Sequence, residues 1–275
     1  MPIQLKAAAL ADRGRQRDIN EDTVYQKVVA ASDEDAMGLF IVADGVGGHL
    51  AGEVASCWAV ETIKDGLADL FAPRDPRATV RLSPTELTDP QATVTADREN
   101  LAYRVEAAVR RANDVVRQYA RQRPEEAGDA GTTLSMALVK GVQAFVANVG
   151  DSRTYLLHDG ELHQITTDHS LIQRLVDAGQ VRPDEIYTHP QRSLIYRSLG
   201  AKDSVKVDIF QFTLSAGDRL LLCSDGLWEM VHSPVTIASI IQESPSVEAA
   251  CQRLVAAANE AGGEDNIGIV VVEVH

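Results

Sequence analysis

The chain has 275 residues, 45% of them hydrophobic and 24% charged, with a formal net charge of −14. That length can bury a large core, and the acidity excludes nucleic acid as the main partner, because phosphate backbones demand a basic footprint. No apolar run approaches the roughly 20 residues of a membrane span, and no basic segment followed by an apolar core opens the chain, so a protein of the cytoplasm without a membrane anchor is expected.

Taken in order, residues 3–11 (IQLKAAALA) read as a strand, followed by a polar loop, DRGRQRDIN, over 12–20. A second strand, 23–30, begins just after Glu21-Asp22. An acidic turn covers 32–36 and a third strand 38–43. This strand leads into the stretch FIVADGVGGHLAGE over 40–53. There an apolar run delivers Asp44 into a turn holding Gly45, Gly47 and Gly48, and glycines let backbone approach a metal or a phosphate closely. Apolar residues at helical spacing (Val54, Ala55, Trp58, Ala59, Ile63, Leu67, Leu70) predict a helix over 51–71. The next stretch, 72–97, holds four of the ten prolines and reads as an exposed loop insertion. Helical spacing returns over 98–121.

From Gly131 the pattern changes to strands at 132–139, 142–149, 153–158 and 161–165. Gly141, Gly150-Asp151 and Asp159-Gly160 punctuate them as hairpin turns, which implies antiparallel sheet. A short helix at 171–178, strands at 205–214 and 218–223, helices at 234–242 and 246–262 and a closing strand at 268–274 complete the chain. Strands and helices in separate blocks, without an internal repeat or boundary, indicate one α+β domain over 1–275 with packed sheets and outer helices.

Glu21-Asp22, Asp44, Asp151, Asp225 and Asp265 share one design. Each stands beside glycine or asparagine at the end of an apolar strand. Carboxylates are seldom buried unless paired or metal-bound, and several converging would repel one another without cations between them. All-oxygen ligands select hard cations, Mg2+ or Mn2+. Two such ions about 3.5–4 Å apart can share a water, lower its pKa and direct it at phosphorus. Taken singly, each acid could be an ordinary turn residue. The repeated arrangement is what argues for a metal centre.

Cys57, Cys223 and Cys251 are too few for a disulfide framework and read as buried small hydrophobes. Ile63, Glu229 and Ala257, not arginine, stand six residues after them, which excludes a cysteine-nucleophile phosphatase loop. The glycine turn lacks the last glycine of a dinucleotide fingerprint, and no Lys-Ser/Thr pair follows to make a P-loop.

An ordered set of motifs accompanies the acids. Arg17-Asp18-Ile19-Asn20-Glu21-Asp22, Asp44-Gly45-Val46-Gly47-Gly48-His49, Gly131-Thr132-Thr133, Val149-Gly150-Asp151-Ser152-Arg153, Asp168-His169-Ser170, Ser224-Asp225-Gly226-Leu227-Trp228 and Asp265-Asn266 follow one another. On these motifs the chain, from about residue 8 to 274, resembles a bacterial member of the protein phosphatase 2C family, the metal-dependent protein serine/threonine phosphatases.

The resemblance implies a four-layer α-β-β-α sandwich, two packed antiparallel sheets flanked by helices, with the metal site at one end. It implies two catalytic Mn2+ or Mg2+ ions bridged by Asp44. The Gly45 carbonyl, Asp225 and Asp265 would complete their shells, and Asp22 would bind directly or through water. Glu21 would support a metal-bound water. Asp151, with Asp225, would form a third, weaker site. Arg17 would grip the substrate phosphate, a role that suits a bidentate guanidinium, with Arg13 and Arg15 as neighbouring loop charges. The implied reaction is hydrolysis of phosphoserine or phosphothreonine in proteins, by in-line attack of a metal-bridging hydroxide without a phosphoenzyme. Asp44, Asp225, Asp265 and Arg17 would be its catalytic residues.

The implied partners are phosphorylated proteins, a serine/threonine protein kinase among them, met by a monomer. Segment 167–199 resembles the family's flap, and His169 and His189 within it read as structural or surface residues. Val46 stands where bacterial members usually carry methionine and animal members a histidine proposed as general acid. Position therefore assigns no proton donor, and His49 or water is left for that role. Ser193 replaces a common asparagine, and the 72–97 insertion is longer than a minimal domain needs. The competing reading is a catalytically inactive phosphatase-fold regulator that binds partners. Such a protein is expected to lose metal acids, and here Asp22, Asp44, Asp225 and Asp265 are all present.

Overall fold

The computed structural model describes residues 3–29, 36–47, 51–72 and 92–275. In chain order its elements are β1 (Leu5–Asp12), β2 (Asp22–Val29), β3 (Met37–Val46), α1 (Ala51–Leu67), α2 (Ala92–Gln122), α3 (Pro124–Ala127), β4 (Gly131–Thr132), β5 (Leu134–Lys140), β6 (Gln143–Val149), β7 (Arg153–His158) and β8 (Glu161–Gln164). Then come α4 (Leu171–Asp177), β9 (Asp208–Thr213), β10 (Arg219–Cys223), α5 (Asp225–Trp228), α6 (Pro234–Glu243), α7 (Val247–Glu260) and β11 (Ile267–Val274), with 3₁₀ turns at Ala68–Phe71 and Pro183–Thr188. Among the described residues no helix is long and apolar enough to cross a membrane.

Two sheets form, both antiparallel. One has the order β1-β11-β10-β7-β8; the other runs β2-β3-β5-β6-β9, with β4 paired to β3. Alternation along the central strands explains the layering, since successive side chains point to opposite faces. In β3, Phe40 and Val42 face the other sheet, where they meet Leu220, Leu222, Val270 and Val272. Leu39, Ile41 and Ala43 face outward onto Ala55, Ala59 and Ile63 of α1 and Val105 and Val109 of α2. In β11, Ile269 and Val271 turn outward onto Ile237 and Ile241 of α6 and Leu254 of α7. β3 and β11 are covered on both faces, so each reads as a nearly continuous apolar run. The architecture is the expected four-layer α-β-β-α sandwich.

Four local expectations are corrected. Helix α2 starts at Ala92, so residues 92–97 are helical rather than loop; the rest of the proline-rich stretch from Pro73, like most of the acidic turn, lies outside the described residues. Strand β3 continues past Asp44, because Gly45 and Val46 pair with Thr132 and Gly131 of β4. Gly150-Asp151 is not a hairpin turn. The strands it joins, β6 and β7, belong to different sheets, and the chain crosses between them there. Gly150 permits the crossing with φ +106°, and a Cβ on it would lie 2.7 Å from that of Thr133. Lastly, Cys57 is exposed while Cys223 and Cys251 are buried.

Two hydroxyl pairs join the sheets beside this crossing: Thr133 with Ser152 and Ser135 with Thr154, each at 2.7 Å and buried. Each hydroxyl can donate and accept, so both partners are satisfied in an otherwise apolar interior.

Candidate metal centre

A cavity of about 370 Å3 lies at the end of the sandwich where β2, β7 and β11 begin and β6 and β10 finish. Arg17, Glu21, Asp44, Gly45, Asp151, Asp225 and Asp265 all line it. Asp22 lies beneath them, 7% exposed and paired with Asp44 across β2 and β3. Residues up to 253 positions apart are thus held together by short connections. Asn266 does much of this: its Nδ2 donates to the carbonyls of Arg13 and Ile19, both at 2.9 Å, and its Oδ1 accepts from the Glu21 N–H at 2.8 Å. The loop bearing Arg17 is therefore pinned to the loop bearing Asp265.

The Gly131-Thr132-Thr133 motif holds Asp44. The Asp44 N–H donates to Thr133 Oγ1 at 3.1 Å, and its carbonyl accepts from the Thr133 N–H at 2.8 Å and from Thr132 Oγ1 at 2.9 Å. Ser224 Oγ donates to Asp22 Oδ2 at 2.7 Å and accepts from the Gly268 N–H at 2.8 Å. Behind Asp151, Trp228 Nε1 donates to its carbonyl at 3.1 Å. The Arg153 guanidinium stacks 3.6 Å over the Trp228 ring and forks onto Asp168, with both partners of that ion pair buried.

The electrostatics are unfavourable as they stand. Burial pushes the Asp22 and Asp151 carboxyls each up to about 7, and neighbouring acids, Asp265 for the first and Asp168 for the second, add to the shift. Asp44 and Asp225 are held well above the usual carboxylate range by burial, and then by the charges of Asp225 and Asp22 on the one and of Asp151 and Asp265 on the other. Burial also raises Glu21, with Arg17 opposing it. Among the described residues four buried carboxylate oxygens have no hydrogen-bond partner: Glu21 Oε1, Asp22 Oδ1, Asp225 Oδ1 and Glu229 Oε1. Buried acceptors without donors, in a cluster of like charge, call for positive charge. Oxygen-only donors suit Mg2+ or Mn2+. Among the described residues no three acidic, histidine or cysteine side chains already close on one point. The carboxylates surround a space, which suits ions that keep several waters.

A stability consequence follows. These carboxyls hold protons to higher pH in the folded protein than in the unfolded chain. From about pH 4 to 7 the folded state binds more protons, so stability falls as pH rises through that window. In EDTA the melting temperature is expected to be about 5 °C lower at pH 8 than at pH 5.5 by calorimetry. A flat or rising profile would show that the acids are already charge-compensated.

Sequence reasoning passed over four contributors. Asn266 and Ser224 adjoin Asp265 and Asp225, and their capacity to donate and accept together is the available signal. Glu229 stands four residues after Asp225, one helical turn on, and that spacing could have revealed it. Arg192 carried no local signal: its Nε donates to Glu229 Oε2 at 3.1 Å and its Nη2 to Glu264 Oε2 at 3.4 Å. Segment 167–199 borders the cavity through Ser193, Ile195 and Ser198. Buried His169 is a tie within the fold, accepting the Gly150 N–H at Nδ1 (2.9 Å) and facing Asp208 Oδ2 with Nε2 (3.0 Å). His49, the candidate proton donor, lies outside the described residues.

Comparison with known proteins gives the same direction. The serine/threonine protein phosphatase PstP of Mycobacterium tuberculosis is 38% identical over 272 residues, covering 99% of this chain and 45% of PstP. This chain therefore spans about half the length of that relative. The serine/threonine phosphatase stp of Listeria welshimeri is 36% identical over 264 residues, covering 95% of this chain and 93% of the relative. A crystal structure of the PstP catalytic domain in complex with two manganese ions matches with a TM-score of 0.76 at 37% identity, covering 99% of both chains. The model of the protein phosphatase 2C family matches residues 13–261. By that match, which runs over most of its length, the chain belongs to the protein phosphatase 2C family.

Proposed function

We propose that this chain is a Mn2+- or Mg2+-dependent protein serine/threonine phosphatase, with phosphorylated proteins as substrates and a serine/threonine kinase among them. The carrying observation is the ring of buried, mutually repelling carboxylates with unpartnered oxygens around a cavity that also carries Arg17. The manganese-bound PstP catalytic domain supports the choice of ion. In this reading Asp44, the Gly45 carbonyl, Asp225 and Asp265 would hold the two catalytic ions, with Asp22 beneath. Asp151 and Asp225, with Glu229 beside them, would hold a third. Bound ions would neutralise the carboxylates and supply an activated water as nucleophile toward phosphorus.

The chain's own residues do the rest. Arg17, half-exposed on the cavity wall, binds the phosphoryl oxygens through its planar fork. Glu21 offers an unpartnered oxygen to orient a water. Gly45 brings its backbone against that of Gly52 and Glu21, where a Cβ would collide, and so seats its carbonyl at the cavity wall. Val46 carries no exchangeable proton, so the leaving alkoxide takes its proton from water or from His49. Attack is in line, with no phosphoenzyme. Residues 1–275 act as one monomeric domain in the cytoplasm, with 167–199 as a flap at the cavity's edge. An inactive regulator would have no use for so costly an acid cluster.

The test is hydrolysis of p-nitrophenyl phosphate and of a phosphothreonine peptide. Turnover is expected with Mn2+ or Mg2+ and only background in EDTA. Full activity in excess EDTA would overturn the metal-dependent reading.

A further inference from the structure

The acids around the cavity do not share one condition. Asp22, Asp225 and Glu21 each keep a buried oxygen without a partner, whereas both oxygens of Asp265 are engaged. Its Oδ1 accepts the N–H of Asn266 at 2.8 Å, a bond fixed by the local chain. Its Oδ2 accepts from Arg17 Nη2 at 2.6 Å. Each oxygen keeps a lone pair, but the Oδ1 bond is fixed by the chain, so the oxygen that can be fully freed for a cation is Oδ2, on which Arg17 sits. A guanidinium and a divalent ion on one carboxylate oxygen would stand a few ångströms apart with like charge, which is unfavourable at any dielectric a partly buried site provides.

We propose that Arg17 and the cation are alternative partners of Asp265, so that loading the acid site hands Arg17 over to the substrate phosphate. Resting on the metal and phosphate roles proposed above, this adds an order to them: cation first, phosphoester second. While Arg17 lies on Asp265, the cavity's phosphate-binding group is spent on an internal carboxylate, which disfavours a phosphoprotein that arrives before the metal. Once released, the guanidinium stays beside the same cavity, where the phosphoryl group is its next strong acceptor. The pair is well suited to exchange, because Arg17 and Asp265 are 50% and 33% exposed and a pair that open is weakly held.

The test reads binding, not turnover. Mn2+ is titrated calorimetrically into the full chain, its Arg17→Ala variant and Arg15→Ala, which removes the same charge from the same loop without touching Asp265. Arg17→Ala is expected to bind Mn2+ about threefold to fivefold more tightly, and Arg15→Ala to change by less than about twofold. In parallel, wild-type protein is treated with phenylglyoxal and Arg17 modification is followed by peptide mass spectrometry. Mn2+ is expected to speed it about threefold or more, in line with release from a pair of that strength. An unchanged or weaker Mn2+ affinity in Arg17→Ala, a tightening matched by Arg15→Ala, or labelling indifferent to Mn2+ overturns the handover. A wild-type chain that binds no Mn2+ overturns the metal site beneath it.

Discussion

Asp225→Asn is expected to lower kcat/KM at least about a thousandfold and, in EDTA, to raise the melting temperature by about 3 °C. The two effects have one cause. Asp225 Oδ1 is buried without a partner, and the side chain is repelled by Asp151, Asp265, Glu229 and Asp22. Asparagine keeps the shape and removes the charge. The folded protein without metal loses a repulsion, and the loaded protein loses a ligand that this reading places on both a catalytic ion and the third one. Added Mn2+ should then stabilise the variant much less than wild type, because ligand stabilisation follows the logarithm of concentration over Kd. Scanning calorimetry with and without Mn2+, alongside phosphopeptide kinetics, checks both arms. A wild-type rate would misplace the site. A lower melting temperature in EDTA would show that the Asp225 charge is already compensated.

Gly226→Ala, one residue on, should be destructive for a steric reason. A Cβ there would lie 1.9 Å from the Asn266 carbonyl oxygen and 2.9 Å from its carbon. Both are backbone atoms, so α5 and the loop before β11 must separate. Asn266 also holds the loop carrying Arg17 and Glu21, and the displacement would spread to them. We expect a loss of about 3 kcal/mol or more in urea unfolding, with little activity in whatever fraction stays folded. Gly66→Ala in α1 is the control. Its nearest neighbour would be Ala108 Cβ at 3.3 Å, and it should stay within about 1 kcal/mol of wild type. Equal stability of the two variants would refute the close-approach argument.

Much of this site is legible in the sequence because its chemistry is local. An acid beside glycine or asparagine at the end of an apolar strand is visible wherever it occurs, and Asp44, Asp151, Asp225 and Asp265 do line one cavity. Apolar runs punctuated by Gly-Asp and Asp-Gly turns likewise announce the strands. What they do not reveal is which strands share a sheet. β6 and β7 are both short, largely buried runs, and only the tertiary fold sends one to each layer. The first turns of α2 are masked in the sequence because residues 92–97 follow a proline-rich stretch and include two threonines and a valine, which are poor helix formers. Arg192 was out of reach for another reason: its two partners, Glu229 and Glu264, are 37 and 72 residues away. Ion pairs at that separation leave no periodic trace.

The two hydroxyl pairs beside the Gly150 crossing bear on how wide the acid ring can be. Asp44 rides on one sheet, and Asp225 and Asp265 stand at the ends of β10 and β11 in the middle of the other. The apolar faces between the sheets resist sliding through the fit of their side chains, which carries no directed bond. Thr133 on Ser152 and Ser135 on Thr154 do carry one. They act as a key between the layers, so the spacing of the carboxylates is set by how the two halves of the molecule are locked together as much as by the loops that carry them.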